Sequence, residues 1–255
     1  MISIKSRHEL ELMRKAGEIL AQCFVKIEPE VADGVTSAEL NRIAEEFFLS
    51  HNGIPSFKGV PGVSKKAPPF PAAMCISIND EVIHGIPGNR KIRTGDIVSI
   101  DMGVIYKGFH SDMARTYCVG EVSEEARRLV RVTEESFFKG IAQAIPNNRV
   151  ADISAAIQKH AEDAGFSVVR EFVGHGIGTE MHEPPQIPNY VEIRKGPRLQ
   201  AGMTLAVEPM LNAGHFDVTV LSNYWTVATA DHSLSAHYEN TFVICDGEPE
   251  ILSRV

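Results

Sequence analysis

No C-x-x-C pair occurs among the four cysteines, Cys23, Cys75, Cys118 and Cys245. A structural zinc knuckle and a thioredoxin-type redox motif are therefore not expected. Four cysteines in 255 residues are also too few for a disulfide scaffold. Nor is there a long lysine/arginine run: 25 basic residues stand against 33 acidic ones, a net charge of −8. Such a chain offers no phosphate track, which argues against nucleic acid as a partner. The one basic pair near a loop of interest, Lys65-Lys66, reads as a solvated loop tip. No run reaches the roughly 18 apolar residues of a membrane-spanning helix, so no membrane is expected either. The N-terminal MISIKSRHELELMRKAG carries charges every few residues and has no apolar h-region, unlike a secretory signal peptide. The expected location is a reducing cytoplasm, with free thiols.

The chain is long enough for one large core or two small ones, and 44% of it is hydrophobic. No linker divides it, so residues 1–255 read as a single catalytic-size domain. Ser6-Arg-His-Glu9 and Thr36-Ser-Ala-Glu39 both fit the capping box, and helical periodicity follows each. A third helix is expected from Ser123 to about Ala144, and a fourth from about Asp152 to Ala164, closed by Gly165. Strand-like runs fall at 75–78, 97–104, 114–119, 167–173, 203–207 and 241–245. Helices and strands in segregated runs predict an α+β fold. Two stretches rich in Pro and Gly, 55–71 and 182–197, lack regular pattern and read as functional walls.

An internal echo is present. Gly95-Asp-Ile-Val-Ser-Ile-Asp101 parallels Gly202-Met-Thr-Leu-Ala-Val-Glu208, each a glycine turn followed by an apolar run that delivers a carboxylate. Upstream of each lies a His near a proline, His84-Gly-Ile-Pro87 and His182-Glu-Pro-Pro185. A pseudo-twofold duplication would bring these half-sites to one centre.

Five side chains then stand out: Asp101, Asp112, His175, Glu208 and Glu239. Singly, each acid is an ordinary surface carboxylate. Together, inside apolar segments, they would load a dry pocket with charge that only cations could neutralise. Oxygen-rich donors with one imidazole suit two hard or borderline divalent metals, a recurrent device for activating water. Asp101 and Asp112 are expected to meet through a hairpin with its turn at Gly108-Phe109. Gly174-His-Gly-Ile-Gly178 lacks the G-x-G-x-x-G spacing of a dinucleotide loop. Its glycines instead let backbone crowd a ligand around His175.

The segments CISINDEVIHGIP (75–87), DIVSIDMGV (96–104), GFHSDMART (108–116), GFSVVREFVGHGIGTEMHEPP (165–185), GMTLAVEPM (202–210) and SLSAHYENT (233–241) together resemble the type I methionine aminopeptidases over nearly the whole chain. The resemblance implies the pita-bread fold, in which two pseudo-symmetric halves form a curved antiparallel sheet covered by helices. It implies removal of the N-terminal initiator methionine from nascent proteins and peptides when the second residue is small. It places Asp101 on one metal, Asp112 and Glu239 across both, and His175 and Glu208 on the second. His84 and His182 match substrate-contacting histidines, and Glu208 is the expected proton acceptor. Cys75 and Trp225 match the methionine-pocket wall, with Met181 standing where an aromatic residue is common. Phe57 or Phe70 completes that wall, depending on the register of the 57–71 loop. Asn79 and Ser235 match a peripheral monovalent-cation site. Mn, Fe, Co or Zn would serve as the divalent ion. The implied partner is the N-terminal segment of a nascent chain, met by a monomer during transient ribosome association. The alternative is a Pro-directed aminopeptidase or prolidase of the same fold.

Overall fold

Ser6 and Thr36 start the first two helices as their capping boxes require. In the computed structural model, which describes residues 2–62 and 66–254, both boxes are closed from both sides. Lys65 of the basic pair lies outside the described residues, and Lys66 is exposed. Helix α1 spans Arg7–Ile27 and α2 spans Ser37–Ser50. Helix α3, Glu124–Ile141, ends before the expected Ala144. Pro146 follows closely, and a proline disfavours helical backbone in the residue before it. Helix α4 runs Val150–Asp163 and starts earlier than Asp152. Asp152 is not its start but its third residue, accepting the Arg149 backbone N–H at 2.7 Å. No helix among the described residues is long and apolar enough to cross a membrane.

The main sheet has nine strands. Strand Ile97–Tyr106 pairs with Met74–Ile78 on one side and with Phe109–Cys118 on the other. Glu239–Val243, Thr204–Val207, Gly174–Gly176 and Glu183–Ile187 continue it in that order. All these pairings are antiparallel. The hairpin turn sits at Lys107-Gly108, one residue earlier than expected, because Tyr106 pairs with Phe109. Both turn residues take positive φ, 47° and 85°, as a two-residue hairpin demands.

Two further expectations are corrected. The run 167–173 is not one strand: Val168 pairs with Leu211, whereas His175 pairs with Ala206 in the main sheet. The intervening residues carry the chain from one sheet to the other. The stretch 182–197 is not wholly irregular, because Glu183–Ile187 is a strand despite Pro184 and Pro185. It lies at the end of the sheet path, where a missing N–H costs no ladder bond.

Each half has its own core. Ile19, Leu20 and Phe24 of α1 and Leu40 and Phe48 of α2 pack on Ile100, Met102 and Val104. Phe137 of α3 and Ile153 and Ile157 of α4 pack on Leu205, Val207 and Phe242. Fully burying such a side chain is worth roughly 1.5–3 kcal/mol, so each helix pair fixes the strands beneath it. Gly95 and Gly202 both take positive φ, 99° and 88°, at the two echoing turns. This is the pita-bread arrangement: two similar halves, with their carboxylate-bearing strands meeting in one curved sheet.

Candidate metal centre and its pocket

Pairing register brings distant residues into one row. Cys75 lies opposite Asp101, Asp101 opposite Ala114, and Ala114 opposite Glu239. Asp112 precedes Ala114 by two residues and so shares its face. From the second half, His175 lies opposite Ala206. Glu208 stands two residues beyond Ala206, just past the end of its strand. The five residues therefore converge on one side of the sheet.

Ligand-capable atoms of Asp112, His175 and Glu239 lie within 4.8 Å of one another. His175 Nε2 is 3.9 Å from Asp112 Oδ2 and 3.6 Å from Glu208 Oε1. Asp101 stands beside Asp112, its buried Oδ1 without a hydrogen-bond partner among the described residues. The supports are backbone-directed. The Thr241 hydroxyl accepts the Asp112 N–H at 2.8 Å and donates to its carbonyl at 3.0 Å. Asn189 donates to the Glu208 carbonyl at 2.9 Å. Arg115 donates to the Glu239 carbonyl at 2.7 Å.

Burial, then the neighbouring carboxylates, pushes Asp112 and Glu239 well above the usual carboxylate range. Glu208 rises for the same reasons, with Asp101 as the neighbouring charge. Burial also raises Asp101. Four carboxyls in this state are a poor arrangement for a protein by itself: each resists ionising beside the others. They fit a divalent cation, which would satisfy Asp101 Oδ1 and Glu239 Oε1, both without a hydrogen-bond partner among the described residues. His175 is prepared for that role. Its Nδ1–H donates to the Gly176 carbonyl at 2.9 Å, which leaves the Nε2 lone pair facing the carboxylates.

A second cluster contains a residue that the sequence reading passed over. Glu208, His237 and Glu239 also place ligand-capable atoms within 4.8 Å. His237 is the signal that could have been read: in His237-Tyr-Glu239 it sits two residues from a candidate ligand, on the same face of an extended segment.

Above the acidic floor the walls are apolar. A cavity of ≈340 Å³ is lined by Phe57, Val60, Pro61, Phe70, Cys75, Met181 and Trp225, with His84 and His182 beside the carboxylates. The 57–71 loop thus contributes both phenylalanines rather than one. Trp225 is held by its Nε1–H to the Pro68 carbonyl at 2.8 Å and by Phe70, edge-on at 5.1 Å. The His182 ring meets that of His175 edge-on at 4.4 Å. Asn79 and Ser235 lie away from this cavity. The Asn79 side-chain amide donates to Asp96 at 2.8 Å, and the Asn79 backbone carbonyl accepts the Ser235 N–H at 2.8 Å.

His84 holds a left-handed backbone, φ 58°, which is uncommon outside glycine. Its ring is packed edge-on against Phe172 at 5.7 Å and Trp225 at 6.3 Å. Burial, then His182, pulls its pKa down to about 4, so the ring is neutral near pH 7. Gly85 makes the placement feasible: a Cβ there would lie 2.0 Å from the Ile76 carbonyl oxygen. Gly85→Ala is expected to cost on the order of 1–3 kcal/mol through overpacking and to lower kcat by displacing His84. Thermal melts and steady-state rates check this, and unchanged values of both would show that the segment yields freely.

Comparison with known proteins bears on the family and the fold. A model of metallopeptidase family M24 matches residues 11–246. The chain is 54% identical to a methionine aminopeptidase of Clostridium perfringens over 255 residues, covering 100% of both. Among solved structures, a methionine aminopeptidase of Thermotoga maritima superposes with a TM-score of 0.95 at 41% identity, again over 100% of both chains. A prolidase of Pyrococcus furiosus shares the fold at 22% identity and a TM-score of 0.78, and only 65% of its length is covered.

Proposed function

The chain belongs to metallopeptidase family M24, and from that premise we infer that it is a methionine aminopeptidase, hydrolysing the bond after an N-terminal initiator methionine. Relatives of that name cover its whole length at high identity, whereas the prolidases are distant. The observation that carries the reading is one cavity with a carboxylate–imidazole floor, an apolar wall and two histidines at the join.

Asp101, Asp112, His175, Glu208 and Glu239 would hold two divalent ions, drawn from Mn, Fe, Co or Zn. Bound there, such ions polarise a carbonyl and lower the pKa of water. This chain's own residues do the rest. The Glu208 carboxylate, on the cavity floor, accepts a proton from the attacking water and relays it. The His182 imidazole donates to the scissile carbonyl oxygen as negative charge develops there. His84 contacts the scissile amide nitrogen and assists departure of the amine. Phe57, Phe70, Cys75, Met181 and Trp225 exclude water around an unbranched, polarizable side chain, which methionine supplies. The peripheral monovalent ion near Asn79 and Ser235, a single-domain monomer, transient ribosome contact and a cytoplasmic location complete the reading.

A peptide panel tests it. Met-Gly, Met-Ala and Met-Ser peptides should be cleaved well, and Met-Leu and Met-Lys poorly, because the floor and His84 crowd the second residue. One methylene alters pocket binding by about 1–3 kcal/mol, so norleucine peptides should be cleaved more slowly than methionine peptides. Faster cleavage of X-Pro peptides lacking methionine would replace this function with a prolidase-like one.

A further inference from the structure

His237 is the most isolated polar side chain at the centre. It is 1% exposed, and neither ring nitrogen has a hydrogen-bond partner among the described residues. An unpaired buried polar group costs roughly 1–3 kcal/mol, so a fold that keeps one gains something from it. The backbone that carries the ring is held from both sides. The His237 N–H donates to Thr116 Oγ1 at 2.9 Å, and the same hydroxyl donates back to the His237 carbonyl at 2.8 Å. Beyond Tyr238, Arg115 grips the Glu239 carbonyl and lies 3.9 Å over the Tyr238 ring. So held, His237 Nε2 stands 3.9 Å from Glu208 Oε2 and 3.9 Å from Glu239 Oε2. That Glu208 oxygen is not the one facing His175, which is Oε1.

Two roles compete, metal ligand and hydrogen-bond donor. A histidine that binds metal through one nitrogen almost always donates the other N–H to a nearby acceptor. His175 has that acceptor in the Gly176 carbonyl; His237 Nδ1 has none among the described residues. A neutral imidazole carries a single N–H, and here carboxylate oxygens face Nε2. We propose that His237 is a positioning residue of the metal centre, its Nε2–H shared between Glu208 Oε2 and Glu239 Oε2 so that both carboxylates are oriented for a divalent cation. The separations exceed a hydrogen bond by about 1 Å. Carboxylate rotation can close that gap once the charge of the neighbouring acids is neutralised.

The proposal rests on the metal-centre reading above, and direct metal titration separates the two. Protein freed of divalent ions is titrated with Mn²⁺ by calorimetry, as wild type, His237→Leu and His237→Gln, each checked for folding by circular dichroism. Losing a partner of a metal-binding carboxylate typically weakens metal affinity about 10–100-fold, and this loss is expected for His237→Leu. His237→Gln keeps an N–H donor and is expected to recover most of it. Equal affinity in His237→Leu and wild type would overturn the proposal. So would a His237→Gln variant that folds but binds as weakly as His237→Leu, since that would mark a ligand rather than a donor. If His237→Leu does not fold, His237→Asn takes its place, because its shorter amide falls short of the carboxylates. Absence of Mn²⁺ binding by the wild type would overturn the metal-centre reading instead.

Discussion

Protein stripped of divalent cations by a strong chelator is expected to lose hydrolysis of Met-Ala peptides, and to regain it on addition of Mn²⁺, Co²⁺ or Fe²⁺. The reason lies in the floor of the cavity. Asp112, Glu208 and Glu239 are pushed well above their ordinary pKa by burial and then by neighbouring carboxylates, Asp101 among them for each. Without a cation the fold therefore holds unfavourable charge, or protons in its place. A second readout does not depend on activity. A ligand at 100 times its Kd adds about 2.7 kcal/mol of stability. For a chain of this size that corresponds to a rise in Tm of about 5–10 °C on saturation. His175→Ala removes the imidazole nitrogen closest to Glu208 and should abolish most of that rise. Full activity in chelator, with no metal-dependent shift in Tm, would sink the metal-centre reading.

Replacement of His84 is expected to lower kcat by about 10²–10⁴-fold, the usual scale for a group that handles a proton in the transition state. That equals about 2.7–5.5 kcal/mol of barrier. Metal content should not change, because His84 belongs to neither ligand-capable cluster. The choice of variant matters. At φ 58° an alanine would add backbone strain of its own, whereas asparagine tolerates the left-handed region. His84→Asn is therefore the cleaner substitution, with His84→Ala as its companion. Metal analysis beside steady-state kinetics decides the matter. Loss of metal, or an unchanged kcat in both variants, would remove His84 from the reaction.

Much of this was present in the chain as local pattern. Capping boxes set the starts of α1 and α2 because their hydrogen bonds close within four residues. The Gly95 and Gly202 turns marked the two halves because only glycine takes such φ values freely. Boundaries governed by partners were less legible. The strand expected at 167–173 stops at Val168, because the chain then leaves that sheet for the strand Gly174–Gly176, which pairs in the main one. The strand at 183–187 was hidden by prolines that only an edge position tolerates.

The sequence by itself determined which residues could carry chemistry here: four acids and a histidine embedded in apolar, glycine-punctuated segments, repeated in two halves. Tertiary structure alone decided how they meet. Asp101 and Glu239 face one another across Ala114 through strand pairing, a relation of register that no local window contains. It decided too that both Phe57 and Phe70 line the cavity, since a loop's side-chain directions follow from what it packs against. His237 shows the same division most plainly. In the chain it is one of ten histidines; buried and unpartnered beside two carboxylates, it acquires a role from its surroundings, because the cost of an unpaired polar group exists only where water is excluded.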